Sequence, residues 1–323
     1  MRSLMTRLRG VPRPVLVGLL VVGLAGGVAA AWNPLTRQTE QTLAVIVAAD
    51  PAEFVLAVLA AAAAVLATAG AWILAARALG SRADAASATA RYAVACLAPP
   101  KLGNPVRIAL LARTLPGPRA LWAMTGVCGG VSVARMLPLS LVIVAAAASG
   151  AVSLWLGLAL AAAVIVILGA ALLLGRHAPA GRLQRLLEGF SLVARSPGAA
   201  VRTLAWLTVA TLAKFAAAAA TGAALGVPRP FLAALVLVPA LAFGRMLPFL
   251  GTAAGTVAVG VTSDGIGVSD ALSLAVAFSA VEALGGIVCG IAGAGQLLRL
   301  AHLRDWRRSL ARVRKLTTSG VPT

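Results

Sequence analysis

The chain has 323 residues, of which 60% are apolar and a further 33 are Gly, whereas soluble globular proteins reach about 45–50% with Gly included. Only 11% of the residues are charged, against about 25% in soluble proteins. Too few charges are present to cover a water-facing surface, so the composition excludes a soluble enzyme and predicts an all-α, polytopic membrane protein.

Basic residues outnumber acidic residues by 28 to 9, a balance that in a soluble protein would indicate nucleic acid. Here the basic residues lie between the apolar runs, as they do in the cytoplasmic loops of membrane proteins. Aromatic residues are scarce, so no stacking surface for bases is interleaved with the cations. We therefore expect membrane lipids rather than nucleic acid as partners.

The few metal-ligating side chains are too dispersed to form a site. Cys96, Cys128 and Cys289 are far apart in apolar sequence, and the pattern fits neither a disulfide framework nor a zinc site. Buried, inert thiols are the simplest reading. His177 and His302 sit beside arginines at segment ends, where a headgroup-facing role is expected. The sequence thus predicts neither a metal nor a cofactor.

Six stretches are long enough to cross about 30 Å of hydrocarbon, which takes around 20 residues. They are 15–31, 54–76, 120–148 with Arg135 and Pro138, 151–174, 203–225 with Lys214, and 271–298 with Glu282. The first resembles a secretory signal that ends in three alanines, but we expect it to be retained. Basic residues flanking the spans place both termini on the cytoplasmic side of the cell (inner) membrane.

This pattern predicts one transmembrane domain over 1–298, with halves 1–150 and 151–298, followed by a basic cytoplasmic tail over 299–323. In the inner loop after the fourth span, residues 182–194 have apolar residues on one face. We expect them to form an amphipathic helix on the bilayer surface.

Two further segments are too short to span and are interrupted by Gly and Pro. Residues 231–263 must begin and end outside, and their first uncharged arm, 231–244, has 14 residues, about 21 Å of helix. A re-entrant hairpin satisfies both limits. The arms 92–100 and 106–115 flank a Pro/Gly-rich turn and have cytoplasmic ends, so they form either a second hairpin or an interfacial helix pair. Two such segments entering from opposite faces are the pattern of an inverted repeat with a site near the midplane.

Three motifs carry a resemblance to a known family. They are Pro99-Pro100-Lys101-Leu102-Gly103-Asn104-Pro105-Val106-Arg107, Gly130-Val131-Ser132-Val133-Ala134-Arg135, and Leu247-Pro248-Phe249-Leu250-Gly251-Thr252-Ala253-Ala254-Gly255. In order and spacing they resemble the landmarks of the lysylphosphatidylglycerol synthase transmembrane-region family, flippase-like integral membrane proteins. Two departures stand out: Asn104-Pro105 replaces an acidic residue before the Arg, and Gly-Thr-Ala-Ala-Gly replaces a Gly-Gly-x-Gly followed by Glu.

The resemblance implies translocation of a lipid or a lipid-linked sugar, in a stand-alone form without the synthase domain. It also brings Gly103, Asn104 and Arg107 of the first motif into the expected substrate site.

Charged side chains at bilayer depth cost about 2.5–3.5 kcal/mol each on insertion scales, so each should be paired or functional. The candidates are Arg135, Lys214, Arg245 and Glu282, which together leave two cations in excess. An anionic ligand would restore the balance, and guanidinium groups hold phosphate well. We expect substrate contacts also from Gly251, Thr252, Gly255 and Thr256 in the hairpin over 231–263.

Each of these charges also has a structural reading. Lys214 can snorkel toward an interface, Arg135 can bond carbonyls exposed at a kink, and Glu282 can simply pair with one of the cations. The glycines of the last span, Gly285, Gly286, Gly290, Gly293 and Gly295, are read as helix-packing residues.

The residues favour a transporter of an anionic phospholipid or polyprenyl-phosphate-linked substrate. The alternative is a non-catalytic accessory subunit of a cell-envelope assembly complex. An enzyme is not expected, because the sequence offers no nucleophile and base pair and no paired carboxylates.

Overall fold

The computed structural model describes residues 49–98, 100–117, 119–148, 181–195, 197–244 and 268–318, with isolated helical positions between 158 and 173. These residues form helices joined by short turns, and no strand occurs among them. The helices, numbered in chain order, are α1 (Pro51–Ala78), α2 (Ala85–Val94), α3 (Pro100–Ala112), α4 (Ala120–Ala134), α5 (Met136–Ala148), α6 (Arg182–Arg195), α7 (Pro197–Ala224), α8 (Pro230–Gly244) and α9 (Val268–Thr318).

Four helical stretches are long and apolar enough to cross a membrane: Pro51–Ala78, Ala120–Ala145, Gly198–Ala224 and Ser273–Leu300. They coincide with the predicted spans 54–76, 120–148, 203–225 and 271–298. The predicted span 15–31 and most of 151–174 lie outside the described residues. The all-helical class is confirmed, and the four long apolar helices fit a membrane-embedded protein.

Aspartates begin the first two helices. The Asp50 carboxylate accepts a hydrogen bond from the Ala52 amide at 2.9 Å, with Pro51 as the first helical residue. Asp84 accepts from the Ser87 amide at 3.0 Å at the start of α2. Both caps satisfy amide groups that a helix leaves without an internal partner.

Helices α1 and α7 lie antiparallel along their 28-residue lengths. At one end the Asp50 amide donates to the Ala224 carbonyl at 3.1 Å. Further along, Gly70 faces Trp206, and a Cβ added to Gly70 would lie 2.7 Å from the indole ring. The core between them is rich in alanine, which allows the backbones to approach closely.

The last span packs on α1 and α2 through its glycines. Gly285 faces Ala61 of α1, Gly290 faces Leu97 after α2, and Gly293 faces Ala90 within α2. The prediction that these glycines serve helix packing is confirmed at the three positions. At Gly295 an added Cβ would meet no atom within 4 Å.

The amphipathic helix α6 agrees closely with the predicted segment 182–194, but it has a protein partner that the prediction did not include. A Cβ added to Gly126 of α4 would fall on the Leu186 carbonyl oxygen, and one added to Gly189 of α6 would fall on the Ala123 carbonyl oxygen. Glycine on both helices therefore brings the two backbones together, and this contact covers part of the apolar face of α6.

The span Ala120–Ala145 is broken between α4 and α5 at Arg135. Pro138 has no amide hydrogen, so the carbonyl of Ala134, four residues earlier, loses its helical hydrogen bond. Arg135, which lies between the two helices, keeps helical dihedral angles, with φ −62° and ψ −21°.

Helix α8 has nearly the bounds of the predicted first arm 231–244, and the rest of that hairpin lies outside the described residues. Helix α9 runs for 51 residues from Val268 to Thr318. The predicted boundary at 298 between membrane domain and tail is therefore not marked by a break in the helix.

Replacing Gly126 with Ala should lower thermal stability, because the new methyl group would displace the backbone of α6, and overpacking of this kind costs about 1–3 kcal/mol. The measurement is the thermal midpoint of the detergent-purified protein, read from its monodisperse fraction after heating. Gly295→Ala is the matched control and should leave the midpoint equal or higher, because Ala favours helix over Gly by about 1 kcal/mol. Equal midpoints for Gly126→Ala and the parent would contradict the close α4–α6 contact.

Candidate functional site

Helices α2 and α3, with the 3-10 turn Ala95–Leu97 between them, form a helical hairpin. Its open ends are joined by a hydrogen bond of 2.9 Å from the Ser81 hydroxyl before α2 to the Thr114 hydroxyl after α3. The chain reverses after α2, and we call residues 95–98 the hairpin tip. Ala98 is extended there, with φ −73° and ψ 149°, as expected for a residue that precedes a proline.

The position of this reversal corrects the sequence prediction. We predicted a turn over 99–105, yet α3 already begins at Pro100 and continues through Pro105. Proline is tolerated in the first turn of a helix, because the amide hydrogens there have no helical partner, and this accounts for Pro100. Pro105 lies inside the helix and leaves the carbonyl of residue 101 without its helical hydrogen bond. The break therefore falls before the Pro-Pro pair rather than within the Gly/Pro-rich motif.

The hairpin tip reaches the middle of the last span. Gly293 of α9 lies beside Ala90, whereas Gly286 lies beside Cys96, with 3.6 Å between its added Cβ and the Cys96 Cβ. Gly286 is the fourteenth of the 28 residues in Ser273–Leu300. From Ala85 to Cys96 the hairpin extends for about 16 Å if helical, roughly half the hydrocarbon thickness.

Arg107 of α3 is held beside the tip by neutral groups. Its Nη1 donates to Asn104 Oδ1 at 3.0 Å and its Nη2 donates to Cys96 Sγ at 3.3 Å. The guanidinium carbon lies 4.7 Å from the centre of the buried Tyr92 ring, a cation–π contact. The Arg107 Nε is buried without a hydrogen-bond partner among the described residues.

Arg135 is the second arginine whose positive charge acts on Tyr92. Arg107 contacts the Tyr92 ring, whereas Arg135 acts on the Tyr92 hydroxyl through its charge. Arg135 is the sixteenth of the 26 residues in Ala120–Ala145, close to the middle of that span. Its side chain is half-buried and makes further interactions.

Lys214 of α7 and Glu282 of α9 form a salt bridge between two spans. Both side chains are about 85% buried, since each has a relative exposure of 15%. Lys214 lies ten residues before Ala224 and sixteen after Gly198, so the pair is well inside the apolar stretch of α7. Because the two charges compensate each other, Lys214 contributes little net charge to a ligand.

The predicted site residues thus separate into groups. Asn104 and Arg107 are bonded to each other, Lys214 and Glu282 are bonded to each other, and Gly103 is buried with its added Cβ 3.8 Å from the Ala95 carbonyl oxygen. Gly286, which contacts the tip at Cys96, follows Glu282 by one helical turn, so both groups meet the same part of α9. Arg245, Gly251, Thr252, Gly255 and Thr256 lie outside the described residues.

The sequence prediction missed Tyr92 and Cys96. Both lie on α2 or the turn that follows, four residues apart, which places them on one face. Tyr92 is the single tyrosine of the chain, a signal that was present in the sequence. Cys96 accepts a hydrogen bond from Arg107, so its thiol is not the inert core group that we predicted.

No protein-family model matches the chain, and a comparison with curated proteins finds no match either.

Glu282→Gln should destabilise the protein, because breaking a buried ion pair by removing one partner costs about 3–5 kcal/mol. Combining it with Lys214→Met removes both charges and should recover most of that loss. The thermal midpoints of the single variants, the double variant and the parent form the test. A double variant that is as unstable as the sum of the single variants would contradict a direct interaction between the two side chains.

Proposed function

We propose that the chain is a multi-pass membrane transporter of the flippase-like type, which binds the anionic head of a phospholipid or polyprenyl-phosphate-linked substrate at Arg107 and Arg135. The observation that carries the proposal is the environment of Arg107. This cation is half-buried at the tip of a hairpin, and its described partners are an amide oxygen, a thiol and an aromatic ring.

The acidic side chains do not balance this cation. Among the described residues, the salt bridges join Arg185 to Glu188 and Lys214 to Glu282, and neither reaches Arg107. A cation at membrane depth is expected to have a counter-ion or a function. A phosphate group supplies the missing charge, and it can accept from guanidinium groups by charge-assisted hydrogen bonds.

The geometry of the hairpin supports a re-entrant element over 92–115 rather than an interfacial helix pair. Its ends lie together at Ser81 and Thr114, while its tip lies beside the midpoint of the span Ser273–Leu300. Helices that stop at mid-depth are typical of transporter sites, where polar groups of the interrupted segment face a substrate. Six spans, cytoplasmic termini and a second hairpin over 231–263 complete the proposed topology.

The structure also bears on which candidate residues can supply positive charge to a substrate. Because Lys214 is paired with Glu282, Arg107 of the first sequence motif supplies the positive charge of the proposed site, and Arg135 of the second motif acts on the same tyrosine. The resemblance of those motifs to the lysylphosphatidylglycerol synthase transmembrane region implies the same class of substrate. Arg245 would add a third cation from the proposed second hairpin.

Replacing Arg107 with Gln should slow lipid translocation at least tenfold, because loss of a charged hydrogen bond removes about 1.5–3 kcal/mol of binding. The assay follows fluorescent phosphatidylglycerol in proteoliposomes that contain the intact protein. Tyr92→Phe, which keeps the aromatic ring, should retain translocation. Arg82→Gln, which removes an exposed arginine before α2, is the matched charge control.

Translocation at the parent rate by Arg107→Gln would contradict the site. A parent protein that moves neither phosphatidylglycerol nor a polyprenyl phosphate would contradict the transport function itself.

One observation favours the alternative, an accessory subunit of an envelope-assembly complex. Helix α9 continues for 18 residues beyond the span end at Leu300, about 27 Å of helix. The chain after Leu300 carries six basic residues and one acidic residue: Arg304, Asp305, Arg307, Arg308, Arg312, Arg314 and Lys315. Such a projecting basic helix is suited to contact an acidic partner.

Removal of residues 303–323 separates the two functions. A transporter whose site lies at the hairpin tip should keep its translocation rate within about twofold, since no part of that site is lost. An accessory subunit that acts through the projecting helix should show no translocation before or after truncation and should lose co-purification with its complex. A truncated protein that folds but no longer translocates would contradict the placement of the transport site at Arg107.

A further inference from the structure

A cavity of about 190 Å³ lies where α1 ends, α4 begins and α6 passes. Its apolar wall includes Leu79 and Leu115, and its polar part is formed by Arg119 and Arg185. None of the described residues that line it is acidic. Ser81 and Thr114, which close the open end of the hairpin, are two residues and one residue from this wall, so the cavity opens at the hairpin base and not at its tip.

Arg119 and Arg185 differ in their hydrogen bonding. The Arg119 side chain is exposed, and Arg119 is the residue before α4. Arg185 donates from Nη1 to Glu188 at 3.0 Å while its side chain keeps 54% exposure. A guanidinium has five N–H donors, so one bond to Glu188 leaves donors for a ligand. The net charge of this group remains positive.

Trp122 and Arg182, which are one and three residues from the lining residues Ala123 and Arg185, form an aromatic and cationic contact. The Arg182 guanidinium carbon lies 5.8 Å from the centre of the Trp122 ring, two residues into α4. Trp122 is 38% exposed. Tryptophan and arginine at the end of a span-length helix are typical of the level of lipid headgroups.

From these contacts we infer a second ligand site, for a phosphate-bearing group, in the cavity bounded by Arg119 and Arg185. The cavity is smaller than the roughly 300–1,000 Å³ of sites for drug-sized ligands, so it accommodates a headgroup rather than a whole lipid. Apolar walls beside a basic rim match the two chemical parts of an anionic lipid, and basic pockets between membrane helices bind such headgroups. Free phosphate has the same charge chemistry and is the other source of the ligand.

This site does not depend on the proposed transport function. It shares no residue with the Arg107 group, and it sits at the hairpin base, whereas Arg107 sits beside the tip. A bound phosphate would join the loop before α4 to α6 by contacting an arginine on each. We therefore expect the ligand to restrain these two segments without being moved across the membrane.

Hydrogen exchange of the intact protein in nanodiscs tests the inference. Replacing phosphatidylcholine with phosphatidylglycerol should slow amide exchange at least tenfold in peptides that cover 113–123 and 182–190. The Arg119→Gln/Arg185→Gln double variant should lose this protection. Arg82→Gln and Arg107→Gln should keep it, which separates this site from the transport site. The charge-retaining Arg119→Lys/Arg185→Lys variant should keep most of it and provides the readout if the Gln variant fails to fold.

A parallel measurement in detergent with millimolar inorganic phosphate identifies the source. If phosphate slows amide exchange in the same peptides and phosphatidylglycerol slows it no further, the site is supported and its ligand is soluble phosphate. Protection by phosphatidylglycerol alone supports a lipid headgroup. Equal exchange in both lipids together with no effect of phosphate would overturn the inference. So would full protection of the folded Gln double variant, or loss of protection in the Lys double variant when that variant is folded.

Discussion

Close approach of helix backbones is the constraint on which the rest of this structure depends. Lipid tails are as apolar as the side chains they would replace, so burial of apolar surface gives helices in a membrane little reason to associate, and van der Waals packing must supply it. Here Gly126 and Gly189 bring α4 against α6, while Gly285 and Gly293 bring α9 against α1 and α2. Because α2 is held this closely, the hairpin tip is fixed at the level of Gly286, and the position of Arg107 follows from that contact.

The second organising feature is the shared depth of the charged side chains. Lys214 and Glu282 compensate each other between α7 and α9, while Arg107 of α3 contacts the Tyr92 ring and the charge of Arg135 also acts on Tyr92. The first pair ties two helices together without adding net charge. The arginines near Tyr92 add positive charge, and the described contacts of Arg107 are all with neutral groups. One set of charges thus serves the assembly of the helices, and the other is suited to an anionic ligand.

Local signals in the sequence predicted much of the fold. Apolar length located the long helices α1 and α7, and the uncharged run 231–244 matched α8. The candidate site was harder to predict from the sequence, because its contacts join residues that are distant in sequence or lie on successive helices. Composition shows that Glu282 needs a cation but not that Lys214 is the nearest one. The Gly/Pro-rich motif indicated a chain reversal, yet proline at the start of a helix is as favourable as proline in a turn, so the reversal was placed several residues late.

The continuity of α9 has a mechanical consequence. Its contacts with α1 and α2 centre on Cys289, whose thiol donates to the Ala62 carbonyl at 3.6 Å. From this fulcrum the helix extends about 44 Å to Thr318 and about 10 Å in the other direction to Glu282. A straight helix pivoting there is a lever with an arm ratio of roughly four to one. If α9 moved as a rigid body about this contact, a displacement of about 4 Å at Thr318 would shift Glu282 by about 1 Å relative to Lys214, so a force on the end of the helix would act on the buried ion pair with a fourfold mechanical advantage.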